Sequence, residues 1–221
     1  FAKRLAVFAA GVLFYLIGVV SLLYLIAVSA GFVPFTGGPL AISGAVSAAL
    51  FNFALLVVFA VQHSVMARAE FKERWTRIIP AALERAIYVL TTGLLLIPMF
   101  YFWQPLGGTV WSADAPWLVW TITGIGLGGW AYLFLASFAI NHFELFGLQQ
   151  VYQYLTGRTV TPVPFKERLM YRFDRHPIMT GVFVGVWFTP TMTGEHLLFS
   201  IGLTIYMVIG DRKSTRLNSS H

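Results

Sequence analysis

Long uninterrupted apolar segments dominate the hydrophobic pattern of this chain and determine the elements that it predicts. No Asp, Glu, Lys or Arg occurs between Arg4 and Arg68, and a stretch rich in Gly and Pro at 31–39 divides that segment in two. A helix needs ~20 predominantly apolar residues to cross a bilayer. We therefore predict two membrane-spanning helices here, at about Leu5–Ala30 and Ala41–Met66.

Four further apolar segments occur later in the chain. Two are long enough for complete spans, at about Arg85–Trp103 and Pro116–His142. The other two, 178–190 and 196–210, are shorter and predict either short or tilted helices or a hairpin that bends within the membrane. The expected fold is all-α: a polytopic integral membrane bundle of five to six transmembrane helices.

The composition supports a membrane protein and excludes two other classes. Of the 221 residues, 57% are hydrophobic and only 11% are charged, whereas soluble domains are about a quarter charged. The chain is therefore too apolar to be disordered and too poorly charged for an ordinary soluble enzyme. It contains no cysteine, which excludes disulfides, thiolate metal sites and a cysteine nucleophile.

The net charge of +6 is explained by membrane topology rather than by nucleic acid. Basic residues gather before the first helix, between the second and third, and between the fourth and fifth: Lys3, Arg4, Arg68, Lys72, Arg74, Arg77, Arg85, Arg158, Lys166, Arg168, Arg172 and Arg175. The alternate loops at 31–40, 104–115 and 190–195 contain none. Since cytoplasmic loops carry the excess of Lys and Arg, we expect the N-terminus and the basic loops to be cytoplasmic.

The C-terminal segment differs abruptly from the apolar segment before it. Residues 211–221 read DRKSTRLNSSH and resemble the translation of a common sequencing adapter, although a native polar tail is the alternative. We therefore expect one integral-membrane domain at 1–210 that is C-terminally incomplete, followed by a non-native tail at 211–221.

Polar residues at the helix ends are the candidates for chemistry. The first cluster, Gln62-His63-Ser64, ends the second predicted span. A histidine here is either part of a site or hydrogen-bonded to a neighbouring helix, and the residues alone leave both open.

A second polar cluster, Asn141, His142 and Glu144, ends the fourth predicted span. Polar residues at membrane depth are costly unless paired, so they suggest a site by default. On a helix Asn141 and Glu144 share a face, and His142 is turned ~100° away. A histidine near a carboxylate acts as a base or as a metal ligand. Without a second ligand cluster we predict no metal, and interfacial capping of the helix remains the alternative.

A third cluster, Arg175-His176-Pro177, precedes the shorter apolar segment. Proline is well placed in the first turn of a helix, where its missing N–H has no intrahelical partner. The remaining free N–H groups and the two neighbouring basic residues suit an anion such as a carboxylate.

These clusters carry a resemblance to a known family. Arg175-His176-Pro177 followed by Gly181 resembles the isoprenylcysteine carboxyl methyltransferase superfamily of integral-membrane methyltransferases. The ordered set of motifs is closest to its bacterial branch, the methanethiol S-methyltransferases, and comprises HSVMAR at 63–68, WTRIIP at 75–80, ER at 84–85, NHFELFGL at 141–148, RHPIM at 175–179 and TPTMT at 189–193. The family's Glu-Glu-Arg-type motif after the last span is absent, where the tail begins.

The resemblance implies transfer of a methyl group from S-adenosylmethionine to methanethiol in a bacterial inner membrane, with the small volatile thiol entering from the bilayer. It implies His142 with Glu144 as the catalytic base, and His63 as the second choice. It further implies a cofactor site that includes Tyr171, Arg175, His176, Pro177, Gly181 and Asn141.

Two alternatives stay open at this point. One is a related membrane accessory protein of nitrogen-oxide metabolism that needs no cofactor, and the other is a methyltransferase for an isoprenylated or other lipophilic substrate. A carrier is disfavoured because its polar residues would lie near mid-membrane. The sequence does not predict an oligomeric state.

Overall fold

A computed structural model describes residues 1–35, 38–159 and 169–218, and most of these residues are helical. The helices are α1 (Ala2–Ser29), α2 (Ala45–Met66), α3 (Ala69–Trp75), α4 (Glu84–Phe102), α5 (Pro116–Ile140), α6 (His142–Leu145), α7 (Leu148–Leu155), α8 (Pro177–Trp187) and α9 (Gly194–Asn218). Single 3₁₀ turns occupy Ala81–Leu83 and Leu169–Arg172, and two short strands are β1 (Thr109–Ser112) and β2 (Thr191–Thr193).

Four described segments are long and apolar enough to cross a membrane: α1, α2, Ala81–Phe102 and α5. Only 22–28% of the most apolar window of each is buried within the protein, so most of this apolar surface faces outward. Such surface is stable against lipid and costly against water. The predicted helical membrane bundle and its first four spans are thus confirmed.

The fifth and sixth predicted spans correspond to α8 and α9. With 11 residues, α8 is about 16 Å long and cannot by itself cross the ~30 Å hydrocarbon core. The helix α9 continues past Gly210 to Asn218, while residues 219–221 lie outside the described residues. The prediction that 211–221 is a non-native tail concerns the origin of the sequence and stays a prediction.

The chain divides into two compact units, each built from parts of the same long helices. Unit 1 comprises Phe1–Leu25, Val61–Pro98 and Tyr132–Ile178. Unit 2 comprises Ile26–Ala60, Met99–Ala131 and Met179–His221.

Positive charge is concentrated in unit 1. Every described Lys or Arg before residue 211 belongs to unit 1; Lys166 and Arg168 lie outside the described residues. This distribution agrees with the alternation on which the predicted topology rests.

Small residues let the helices of unit 1 approach closely. A Cβ placed on Gly11 of α1 would lie 2.6 Å from a methyl carbon of Val151 in α7, and one on Gly93 of α4 would lie 2.7 Å from the Ser21 hydroxyl of α1. Close backbone approach at small residues is a usual source of packing energy between helices in lipid.

The turn between α6 and α7 is fixed against the start of α4. Gly147 adopts φ +84°, and a Cβ on it would lie 2.5 Å from the backbone nitrogen of Ala86. A residue with a side chain is disfavoured there both by its own backbone and by its neighbour. The position of α6 therefore depends on this glycine.

In unit 2 short elements close the connections between helices. β1 and β2 pair antiparallel, and the Glu195 carboxylate accepts a hydrogen bond from the Leu106 backbone N–H at 3.1 Å. Asn52 and Gln104 bond reciprocally: the Asn52 amide donates to the Gln104 carbonyl at 2.8 Å and accepts from the Gln104 N–H at 2.7 Å.

Replacing Gly147 by Ala should destabilise the fold. The left-handed conformation costs ~1–2 kcal/mol for a residue with a Cβ, and the contact with Ala86 adds to it. We expect the apparent Tm of the purified protein in detergent to fall by about 4 °C or more. The matched control is Gly124→Ala in α5, where a Cβ would meet nothing within 4 Å and the Tm should not fall. If the two variants had the same Tm, the fold would not depend on a glycine at position 147.

Candidate functional site

His142 begins α6 in unit 1 and is almost fully buried, with 3% of its surface exposed. Its Nδ1 lies 2.9 Å from the Ser137 hydroxyl oxygen and its Nε2 lies 3.0 Å from the Tyr15 hydroxyl oxygen. The Ser137 hydroxyl donates its one hydrogen to the carbonyl of Phe134 at 2.7 Å, so it can only accept from Nδ1–H. The neutral ring therefore carries its proton on Nδ1, and Nε2 accepts the hydrogen of Tyr15.

Aromatic rings enclose the His142 imidazole. Phe138 stacks on it with ring centroids 4.3 Å apart and planes within 14°, and Phe146 lies at 4.5 Å with a 30° tilt. Burial among these groups lowers the pKa of His142 from its usual value of 6.5, because the charged form loses its hydration. At neutral pH the ring is therefore neutral, with a lone pair directed at Tyr15.

Asn141 and Glu144 form a separate polar group that shapes the turn. The Asn141 side-chain oxygen accepts from the Glu144 backbone N–H at 3.2 Å, which caps α6. Its amide nitrogen donates to the Gln149 side chain at 2.6 Å. Since both ring nitrogens of His142 face Tyr15 and Ser137, the structure does not pair His142 with Glu144.

His63 of α2 bonds to α4 in a similar way. Its Nε2 lies 2.8 Å from the Tyr88 hydroxyl, and its Nδ1 lies 3.3 Å from the Thr92 hydroxyl. The alternative that the sequence left open, a histidine hydrogen-bonded to a neighbouring helix, is the observed arrangement. Tyr88 in turn borders a cavity.

This cavity has a volume of about 160 Å³ and lies within unit 1. Its lining residues come from the segment after α2, from α3, from the first turns of α4 and from α6: Ala67, Lys72, Glu84, Arg85, Tyr88 and Leu145. The Lys72 ammonium lies 3.8 Å from a Glu84 carboxylate oxygen. The cavity thus brings together two cations, one anion and a phenol.

The segment that leads into α8 carries the third predicted cluster. Pro177 is buried and begins α8, Arg175 is exposed, and the His176 backbone N–H donates to the Asp174 carboxylate at 2.9 Å. Burial raises the pKa of the Tyr171 phenol, and the nearby Asp174 carboxylate raises it further. An exposed cation, a polar backbone and an aromatic ring are therefore adjacent here.

Among the predicted cofactor-binding residues, Gly181 belongs to unit 2 and the others belong to unit 1. It belongs to α8 in unit 2, and its carbonyl oxygen would lie 2.8 Å from a Cβ placed on Gly129 of α5. The structure therefore gives Gly181 a role in helix packing.

Sequence reasoning missed the tyrosines that bond to the two histidines. Tyr15 and Tyr88 lie inside long apolar helices, and a phenol hydroxyl at such a position usually needs a partner. That signal was present in the sequence but did not identify the partner. Among the described residues, no three His, Cys, Asp or Glu side chains group as metal ligands would.

Comparison with known proteins identifies clear relatives. The chain is 42% identical over 204 residues to methanethiol S-methyltransferase 1 of Bradyrhizobium diazoefficiens, covering 92% of the chain and 72% of that relative. It is 45% identical over 166 residues to methanethiol S-methyltransferase of Crocosphaera subtropica, covering 74% of the chain and 64% of that relative. Human nurim is 31% identical over 195 residues, with 80% and 74% covered.

The chain thus spans about two thirds of the length of the curated relatives it matches. No family model matches it, and no solved structure does.

Replacing His142 by Gln should flatten the pH dependence of stability. The folded ring has a lowered pKa, so below about pH 6.5 the unfolded chain binds a proton that the folded chain does not. The stability from the neutral ring is fully present above that pH and is lost as the pH falls below it. We expect the Tm of the unsubstituted protein to fall more between pH 7.5 and 5.5 than that of His142→Gln. Identical slopes would contradict a neutral His142.

Proposed function

We propose that this chain, which belongs to the methanethiol S-methyltransferase family, transfers a methyl group from S-adenosylmethionine to the sulfur of a small thiol. Methanethiol is the expected substrate, and dimethyl sulfide and S-adenosylhomocysteine are the products. The observation that carries the proposal is the 42% identity over 204 residues to a relative of that name. The names of the similar proteins favour an enzyme over an accessory protein.

The residues that precede α8 fit a methyl donor of this kind. S-adenosylmethionine, when bound, supplies a methyl group on a positively charged sulfur. Tyr171 offers an aromatic face for the adenine or for that cation, while exposed Arg175, His176 and the first turn after Pro177 offer polar and positive groups. Asn141, which caps α6, and Gly181, which packs against α5 in unit 2, are also predicted cofactor-binding residues.

We assign the proton transfer to Tyr15 and His142. The thiol must lose its proton before its sulfur can accept the methyl group, because a thiol is mostly protonated at neutral pH. In the proposed step the thiol donates to the Tyr15 oxygen while Tyr15 passes its own proton to the His142 Nε2, 3.0 Å away. The thiol is then a thiolate and the imidazole carries one positive charge. Proton transfer to a positioned group of this kind is general base catalysis.

The surroundings of His142 suit that step. Its Nδ1–H continues to donate to Ser137, and the faces of Phe138 and Phe146 stabilise a cation by their quadrupoles. Burial lowers the pKa of His142, so the ring is neutral at neutral pH and its Nε2 is available to accept a proton. A dry site also favours a reaction in which a thiolate and a sulfonium lose their opposite charges. His63 with Tyr88 is the second candidate pair.

The proposed location is a bacterial cell membrane with the basic loops on the cytoplasmic side. The confinement of the described basic residues before 211 to unit 1 supports this orientation, because positive loops are retained in the cytoplasm. The donor then reaches the site from the cytoplasm, whereas an apolar thiol enters through the bilayer.

The reaction itself is tested in membranes that contain the full chain. With methanethiol and S-adenosylmethionine added, we expect dimethyl sulfide in the headspace and an equal amount of S-adenosylhomocysteine in solution. Membranes from cells that lack the chain are the control. An accessory protein would give neither product, and an enzyme for an isoprenylated thiol would methylate that substrate in preference to methanethiol.

The roles of Tyr15 and His142 are tested by Tyr15→Phe and His142→Gln. Each change removes one proton acceptor while it keeps most of the side-chain volume, so kcat should fall by about 100-fold or more. The rate of dimethyl sulfide formation is the measurement. Tyr152→Phe, at an exposed position of α7, is the control and should keep the full rate.

An unchanged rate in Tyr15→Phe would remove the proposed relay. A loss confined to His63→Gln would instead assign the proton transfer to His63 and Tyr88.

A further inference from the structure

The cavity beside α4 carries a set of charges that its own ion pair does not explain. Lys72 and Glu84 are 3.8 Å apart, with 33% and 17% of their side chains exposed. A loose pair of this kind adds little to stability. Arg85 also lines the cavity, and within the part of the chain that the structure describes no ion pair involves it.

These charges match a zwitterion rather than a simple anion. Two cations, Lys72 and Arg85, suit a carboxylate, which arginine binds in a bidentate manner. Glu84 suits an ammonium group and would repel a purely anionic ligand. The two groups of an α-amino acid lie one carbon apart, and the adjacent residues Glu84 and Arg85 offer one charge of each sign at the start of α4.

The size and the neighbours of the cavity also fit an α-amino acid. A volume of about 160 Å³ accommodates an amino acid of moderate size but not a whole nucleoside together with it. One lining residue, Tyr88, bonds to His63, and another, Leu145, lies on the same short helix as His142.

We infer that this cavity binds the amino-acid end of the methyl donor, with Arg85 and Lys72 on its carboxylate and Glu84 on its ammonium. The inference rests on the proposed function, since it requires that the donor is S-adenosylmethionine. The adenosine end of the donor is then assigned to the segment from Tyr171 to Pro177.

Two ligands that differ only at the amino-acid end test the inference. S-adenosylhomocysteine carries adenosine, a thioether and the amino acid, whereas 5′-methylthioadenosine lacks the amino acid. Binding of each to the full chain in lipid nanodiscs is measured by isothermal titration calorimetry. We expect Arg85→Gln to weaken binding of S-adenosylhomocysteine by roughly 10- to 100-fold, the range for a lost charge-assisted hydrogen bond. Binding of 5′-methylthioadenosine should change by less than about 2-fold, which also shows that the variant is folded.

Further variants make the test specific. Glu84→Gln and Lys72→Gln should show the same selective loss, and Arg74→Gln, an exposed change in α3 outside the cavity, should weaken neither ligand. Equal loss of both ligands in all three cavity variants overturns the inference. So does a selective loss in Arg175→Gln with no effect of Arg85→Gln, since the carboxylate would then lie before α8.

The same data separate this inference from the proposed function. If the unsubstituted chain binds neither ligand, the proposed donor is wrong and the inference fails with it. If the unsubstituted chain binds S-adenosylhomocysteine and the cavity variants bind it equally well, only the inference fails.

Discussion

A polar side chain inside a bilayer needs a partner within the protein, because lipid offers it none. In unit 1 this requirement joins α1 to α6 through Tyr15 and His142, and α2 to α4 through His63 and Tyr88. In unit 2 it joins α2 to the segment after α4 through the reciprocal bonds of Asn52. Each pair satisfies two groups at once and fixes which helices are neighbours, which apolar surfaces alone do not specify.

The four long spans could be predicted from the sequence because the contrast between apolar segments and charged loops is strong. The short elements could not. The helices α3, α6 and α7 fall within predicted loops or longer helices, and the strands β1 and β2 have only four and three residues. Elements of this length are stabilised by tertiary contacts rather than by local preference, so the amino acids within them carry little signal.

The candidate site, too, could be predicted only in part from the sequence. His63 and His142 could be singled out as candidates because they lie at the ends of apolar segments. The partner of His142 was not, because Tyr15 is 127 residues away in the chain and helical spacing relates only residues of one helix. The predicted pairing with Glu144 rests on proximity in sequence, whereas Asn141 follows α5 and turns the chain before α6. Because of that break, the side chains of His142 and Glu144 have different neighbours.

If His142 accepts the thiol proton as proposed, its burial also affects how that proton is released after each turnover. In the proposed reaction one proton is released per methyl group transferred, and it resides on a ring that exposes 3% of its surface. Ser137 already uses its hydrogen toward Phe134 and offers no onward route. In the proposed reaction the proton therefore leaves by the Tyr15 phenol, through which it arrived. In the proposed reaction, regeneration of the base therefore depends on the Tyr15 hydroxyl.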